Sequence, residues 1–434
     1  MAFTVGAAAD FTDLLEQVVG FVTTDAGLVG SGEAWTCVSR GADLKLCVAS
    51  GEYRNASLYL KENGLNNDAT TAWLDVGTSG GWLAVALTAA KAVTEMRLLA
   101  PNSASVFFDE LPTAFRLQSS DDGSTWADEL TISGLSWAFD EEKSWSVTPS
   151  GPHSWWRIVI DANNGSAEWH GLVNWRLFDA GGELDIRAEA EEVLRGPGIA
   201  GDQEIYFGLR RDYDAAADWF NLQLRGGSGY VAGQGLIGPS GAKNLMLWDQ
   251  TIPYWCVANG QRVVLVAKVS TTYHSLHAGY LLAYGTPGQY PYPMYIGASD
   301  FTAGRRWSST DHDTRFFVAP GDAGGALRLQ DGTWQDIENF YSSSSSRNDY
   351  SVNPHSSGLM DNMRENLDGG YTLLPCVVHK KTPPAAFGEL DGVRAVGGFG
   401  LAAEDIIQAG GDDWLVVQNV FRTEAEDYMA VRLD

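Results

Sequence analysis

Between Asp10 and Val22 the apolar residues Phe11, Leu14, Leu15, Val18, Val19 and Val22 recur at the spacing of one helix face. Asp10 stands where a cap belongs, and Asp13 falls in the first turn, where the positive helix start favours a carboxylate. The pattern predicts one short amphipathic helix whose apolar stripe packs against its own domain rather than docking on a partner. The glycine-rich stretch from Gly27 to Gly32 then predicts a turn, followed by strands over Ala34 to Ser39 and Leu44 to Ala49. Farther on the period becomes two. Phe115 to Ser120 alternates as a strand and meets Asp121-Asp122-Gly123-Ser124-Thr125-Trp126, an Asp-Gly turn. Strands are also predicted for Glu204 to Leu209 and Val263 to Ala267, whereas Ser342 to Ser346 and the polar stretch Arg347 to Ser357 read as an exposed loop.

Composition agrees with strands and turns. The 434 residues include 49 Gly, 16 Trp, 16 Tyr and 17 Phe, with only 19% charged, which describes an all-β protein with large aromatics packed between sheets. The length exceeds one hydrophobic core, so several domains are expected. Residues 63–180 hold nine of the sixteen Trp, and this change of character marks an insertion. The expected division is 1–50 as the N-terminal part of a host domain, 51–182 as an inserted β-sandwich and 183–434 as the main β-rich host.

A net charge of −26, with no basic run longer than a dipeptide, argues against nucleic acid and anionic membranes as partners. The first residues lack the basic start of a secretory signal, and no span for membrane insertion is present, so synthesis in a cytoplasm is expected. Cys37, Cys47, Cys256 and Cys376 are too scattered for a disulfide framework or a zinc site and are expected as small buried hydrophobes, although a hairpin would let Cys37 face Cys47.

Candidate chemistry is sparse. His274 and His277, three apart on a predicted strand, fall on opposite faces and do not make a metal site. Asp311-His312-Asp313 is a small polar cluster. Glu389 and Asp391 are the nearest approach to a hydrolytic carboxylate pair, but beside Gly388 and Gly392 they read as solvated acids at a turn. Gly238 to Lys243 departs from the phosphate-loop pattern, and no serine nucleophile elbow occurs, so no catalytic site is expected. Seven Tyr lie within residues 251–300. Tyr284, Tyr290, Tyr292 and Tyr295, interleaved with Pro291 and Pro293, are expected on an exposed extended or edge segment, packing against another subunit in preference to ordinary core or edge packing or to stacking on sugars.

Residues 51–182 resemble discoidin-type domains, the jelly-roll sandwiches of coagulation factors and many carbohydrate-binding modules. The resemblance rests on Asn63-Gly64-Leu65-Asn66-Asn67-Asp68 running to Trp73, on Trp82 to Leu87, on the Asp-Asp-Gly-Ser-Thr-Trp turn, and on Trp156 to Ile160. It implies a sugar or lipid contact formed by loops at one end and often a structural calcium near the Asn/Asp loop. For calcium the oxygens of Asn63, Asn66, Asp68 and Thr71 are the candidates. The acidic residue that the family places near its last strand has no counterpart in Val173 to Phe178. Otherwise no cofactor is expected. For the ligand, Asn163, Asn164, Glu168, Trp169 and His170 offer amide, acid and aromatic groups suited to sugar hydroxyls and faces, though a solvated turn with a buried Trp reads equally well. Of Trp155 and Trp156, one is expected in the core.

The C-terminal stretches Gly388 to Val393, Trp414 to Thr423 and Met429 to Asp434 resemble the ending of a family of tailed-bacteriophage structural proteins found among tail genes. Ile252 to Gly260, Val269 to Tyr273 and Tyr284 to Pro293 resemble the same family. This implies a virion protein of the tail tip, baseplate or fibre, assembled in the host cytoplasm. Its expected partners are other phage tail proteins and a host surface glycan, in a homo-oligomer for which a trimer is the default. The competing readings are an architectural neck or tail decoration without a ligand, and a polysaccharide depolymerase.

Overall fold

A computed structural model describes every residue of the chain except 53–58, 67, 69, 103–106, 199–202, 215–217, 286–292, 300–324, 338–349, 354–368, 381–383, 419–427 and 434. The protein is nearly all β and divides into two compact units, one comprising Met1–Cys37, Val193–Asp212 and Ala217–Asp434, the other Val38–Glu192 with Tyr213–Ala216. The loop expected over residues 342–357 lies mostly outside the described residues, as does the Asp311-His312-Asp313 cluster. Among the described residues no helix is long and apolar enough to cross a membrane.

In the first unit the anticipated helix spans Phe11–Thr24. Asp10 caps it, its Oδ1 accepting from the amides of Thr12 and Asp13 at 2.8 and 2.9 Å, and the six apolar residues of the stripe are buried. Two elements depart from expectation. The stretch read as a glycine turn is a second, six-residue helix, Ala26–Ser31, because Asp25 caps its start and Gly32, at φ 73°, ends it in the left-handed region. The strand Ala2–Ala8, with no clear alternation of its own, pairs with Ile252–Asn259, Phe3 opposite Val257.

That pairing opens a large antiparallel sheet that continues through Arg262–Val269, Thr272–Ala283, Ala385–Val396 and Tyr428–Arg432. Its core gathers Val257, Val264, Leu281, Cys376, Leu390, Val393, Leu415 and Val431. Gly388 to Val393 is therefore no turn. It is the middle of the strand Ala385–Val396, paired with Leu374–Lys380 and with Thr272–Ala283.

The second unit is an antiparallel sandwich. A five-stranded sheet, in the order Leu44–Ala49, Trp82–Lys91, His153–Asn163, Pro112–Ser120, Ala127–Ile132, packs against a four-stranded sheet built on Asn174–Asp179 and Glu95–Leu99. Trp73, Trp156, Trp175, Phe115 and Leu83 fill the space between them. Fully burying such aromatics stabilises by about 2–3 kcal/mol each. The sandwich is longer than residues 51–182. The Leu44–Ala49 strand was expected in the host, but it pairs with Trp82–Lys91, Cys47 opposite Val85. Leu44 and Cys47, like Leu184, Ile186 and Ala188 at the other end, point into the sandwich core, which is the physical reason for the wider bounds. Cys47, Cys256 and Cys376 are buried and Cys37 is half-buried.

Candidate functional site

The strand His153–Asn163 runs antiparallel to both neighbours, Val159 opposite Trp82 and Asn163 opposite Pro112, so its end lies beside their beginnings. Trp169–Leu172 pairs with Trp73–Val76 and brings Trp169 opposite Val76. Three loops are thereby gathered at one end of the sandwich. Backbone bonds tie them together: Gly77 N to Glu168 O at 2.7 Å, Ser166 N to Asp109 O at 3.1 Å and Gly171 N to Glu110 O at 3.0 Å.

The five residues anticipated for sugar contact separate into a frame and a surface. Asn163 belongs to the frame, its Nδ2 donating to Ser166 O at 2.8 Å and Trp169 O at 2.7 Å while its Oδ1 accepts from Gly165 N. Asn164 Nδ2 donates to Phe108 O at 3.2 Å. His170 is 1% exposed, so it cannot touch a ligand. Its Nδ1 lies 2.7 Å from Gly77 O, its ring meets Trp73 edge-on, and its Nε2 stands 3.9 Å from Asp75 Oδ2. Glu168 is exposed and Trp169, Asn163 and Asn164 are half-buried, while the reading of His170 as a contact group is corrected by its burial.

The structure adds neighbours that no sequence signal singled out. Val76 is 67% exposed, and Phe139, 47% exposed, packs on Phe108 with centroids 4.6 Å apart. Glu110 is 5% exposed, and burial raises its carboxyl above the usual range. Its Oε2 has no hydrogen-bond partner among the described residues. Next to Asp109 in a loop, Glu110 carries no spacing that could mark it.

The calcium candidates close on one another. Asn66 Nδ2 donates to Asn63 Oδ1 at 3.2 Å and to Thr71 Oγ1 at 2.8 Å, and Asn66 Oδ1 accepts from Asp68 N at 2.9 Å. Asp68, the one carboxylate of the set, turns its Oδ1 to the amide and hydroxyl of Thr70. Calcium takes six to eight oxygens, carboxylates prominent among them. Neutral oxygens closed on an amide donor, with a single carboxylate turned to Thr70, do not fit that demand.

Of the tyrosines, Tyr284 is 52% exposed and donates to Glu389 Oε2 at 3.1 Å. Tyr295 is fully buried in the strand Met294–Ala298, beside the His277 ring, and so cannot pack against another subunit. The strand resumes before Tyr295 and turns its side chain inward. Tyr290 and Tyr292 lie outside the described residues.

The acid pair is also not a solvated turn. Asp391 is 5% exposed and paired with Arg262, while Glu389 accepts from Arg394 Nη2 at 2.8 Å. His274 and His277 are both buried. A cavity of about 230 Å³ on the four-stranded side of the sandwich is lined by Trp175, Asp185 and Arg187 together with Arg176 and Glu183, which pair with each other.

No protein-family model and no curated protein matches the chain. Solved structures similar to about a third of it are carbohydrate-binding modules. One is CpGH89CBM32-5 from Clostridium perfringens, in complex with GalNAc-beta-1,3-galactose, 14% identical, covering 31% of this chain and 94% of that one, TM-score 0.27. A pectin binding module is 18% identical and covers 32% of this chain and 93% of its own, TM-score 0.25. A family 32 module from Streptococcus pneumoniae is 16% identical over 33% of this chain and 99% of its own, TM-score 0.25.

Proposed function

We propose that the sandwich is a saccharide-binding module whose contact surface is the loop end carrying Trp169 and Glu168. The observation that supports it is a half-buried indole beside an exposed carboxylate on a loop already locked by Asn163. An indole face covers the apolar face of a sugar ring, a carboxylate accepts from its hydroxyls, and a loop ordered before binding loses little entropy. The test is affinity electrophoresis through gels containing neutral polysaccharides. Trp169→Ala should lose retardation while keeping the wild-type melting temperature. Equal retardation of both proteins in every gel sinks this site.

The finer reading places the protein in a phage virion, at the tail tip, baseplate or fibre. There the host unit would anchor to other tail proteins and the sandwich would hold a bacterial surface glycan, repeated copies giving avidity. What supports this is the likeness of the C-terminal strands Asp412–Gln418 and Tyr428–Arg432 and their surroundings to phage tail sequences. Gold-labelled antibody on purified particles tests it. Label at the distal tail agrees with attachment, label at the neck or along the tube favours an architectural role, and absence from disrupted particles overturns the virion assignment.

A further inference from the structure

The outward face of the five-stranded sheet carries a second aromatic surface, on the strand His153–Asn163 whose end leads into the Trp169 loop. Trp155 and Trp156 are adjacent on one strand and must point to opposite faces. Trp156 is fully buried in the core, which leaves Trp155 outside, half-buried. Arg157 and Val159 follow on the strand, Arg157 opposite Ala84 on one side and Gln118 on the other. Trp82, opposite Val159, and Trp126, from the turn after Pro112–Ser120, are also half-buried.

These groups are organised. The Trp126 and Trp155 rings meet edge-to-face with centroids 6.5 Å apart. The Arg157 guanidinium lies 4.2 Å over Trp126 and 5.7 Å from Trp82, bridging two indoles. Its Nε donates to Gln118 Oε1 at 2.5 Å, and Gln118 in turn donates to Asp128. The Arg157 Nη groups have no hydrogen-bond partner among the described residues. The turn is rigid as well: Asp122 Oδ1 accepts from Ser124 N at 2.8 Å and Thr125 N at 2.7 Å, which holds its carboxyl well below the usual range. Gly123, at φ 72°, lies flat against Trp155, where a Cβ would come within 2.9 Å of the ring.

We infer that this face is a second saccharide subsite. A sugar ring stacks on the exposed part of the half-buried Trp155 and Trp126 indoles, and its hydroxyl oxygens accept from Arg157 Nη. The occupant is a neutral sugar. A chain of net charge −26 repels polyanions, and the nearest charges to Arg157, those of Arg116 and Asp128, oppose each other. Stacking surfaces set on fixed strands with one free planar donor suit rings bearing several hydroxyls. Two subsites on one module would let a single polymer engage both and raise its apparent affinity.

The inference rests on the sandwich being a saccharide-binding module, and the experiment separates the two claims. The full chain, its Trp169→Ala variant, its Trp155→Ala and Arg157→Gln variants, and Trp169→Ala/Trp155→Ala are run through gels of galactan, xyloglucan, glucomannan and polygalacturonate. In at least one neutral gel, Trp155→Ala and Arg157→Gln are each expected to weaken retardation by about tenfold. The Trp169→Ala protein should keep a residual retardation that the double variant loses. Near-ultraviolet circular dichroism checks that each variant is folded, and Arg157→Gln carries the test if Trp155→Ala is not. Trp155→Ala and Arg157→Gln binding like wild type while Trp169→Ala abolishes it overturns the second subsite and leaves the loop site standing. Retardation by polygalacturonate alone overturns the neutral-sugar assignment. No retardation of the wild type in any gel overturns both.

Discussion

Arg262 Nε stands 3.0 Å from Asp391 Oδ2 at the centre of the large sheet, with Arg262 fully buried. Arg262 Nη1 donates to the Asp391 carbonyl at 2.7 Å, and Asn259 and Gln261 donate to the same carboxylate at 3.3 and 3.1 Å. Burial alone would raise the Asp391 carboxyl, but Arg262, Gln261 and Asn259 together bring it below the usual range. Gly392, at φ 66°, lies against the guanidinium, and a Cβ there would fall 1.4 Å from Nη1. A buried pair so enclosed is costly to break from one side, because the surviving charge has no water.

Replacing Arg262 with Met is therefore expected to destabilise the protein by about 3–5 kcal/mol, measured by urea unfolding. Arg262→Met with Asp391→Leu should recover most of that loss, since both charges then leave together. Gly392→Ala should behave like the single variant. Wild-type stability in Arg262→Met would show that the pair contributes nothing.

The same cluster sets an acid limit. Burial and the neighbouring Arg262 charge hold His277 down to about 4, against 6.5 for a free histidine. Below pH 6.5 the unfolded chain takes up a proton that the folded chain refuses, so stability falls as pH drops from 6.5 towards 4. The loss from this residue is on the order of 3 kcal/mol. Urea midpoints at steps between those values should decline in the wild type and decline less in His277→Gln.

At the loop end of the sandwich the limiting contact is between Gly81 and His170. A Cβ on Gly81 would sit 1.7 Å from His170 Nε2. Gly81→Ala is expected to cost about 2–3 kcal/mol by forcing the buried ring out of place. Adding His170→Ala should return part of the loss, because the new methyl then enters the space the ring left. Additive losses in the double variant would refute the contact.

Calcium offers a direct check on the Asn66 loop. An ion at a hundred times its Kd would add about 2.7 kcal/mol to stability. Because Asn63, Asn66 and Thr71 already satisfy one another, millimolar calcium is expected to leave the melting temperature unchanged and EDTA to do the same. A calcium-dependent rise of several degrees would assign an ion to this loop after all.

Local pattern determined the elements of this protein. The helix from Phe11 was legible because its apolar spacing, its Asp10 cap and its core are all local, and the strands around Phe115 and Trp156 were legible because alternation is a property of neighbours. The sandwich was legible in outline, since aromatic density and an Asp-Gly turn need no distant partner to be noticed. Tertiary structure decided everything that depended on which face met which. Trp155 and Trp156 are indistinguishable in sequence, and only the packing of two sheets sends Trp156 inward. His170 looked like a ligand group until distant Gly77 claimed it. Asp391 looked solvated until Arg262, 129 residues away, buried beside it. A side chain's type fixes which bonds it is able to make, but the free energy of burial, summed over partners remote in sequence, selects the bonds it does make.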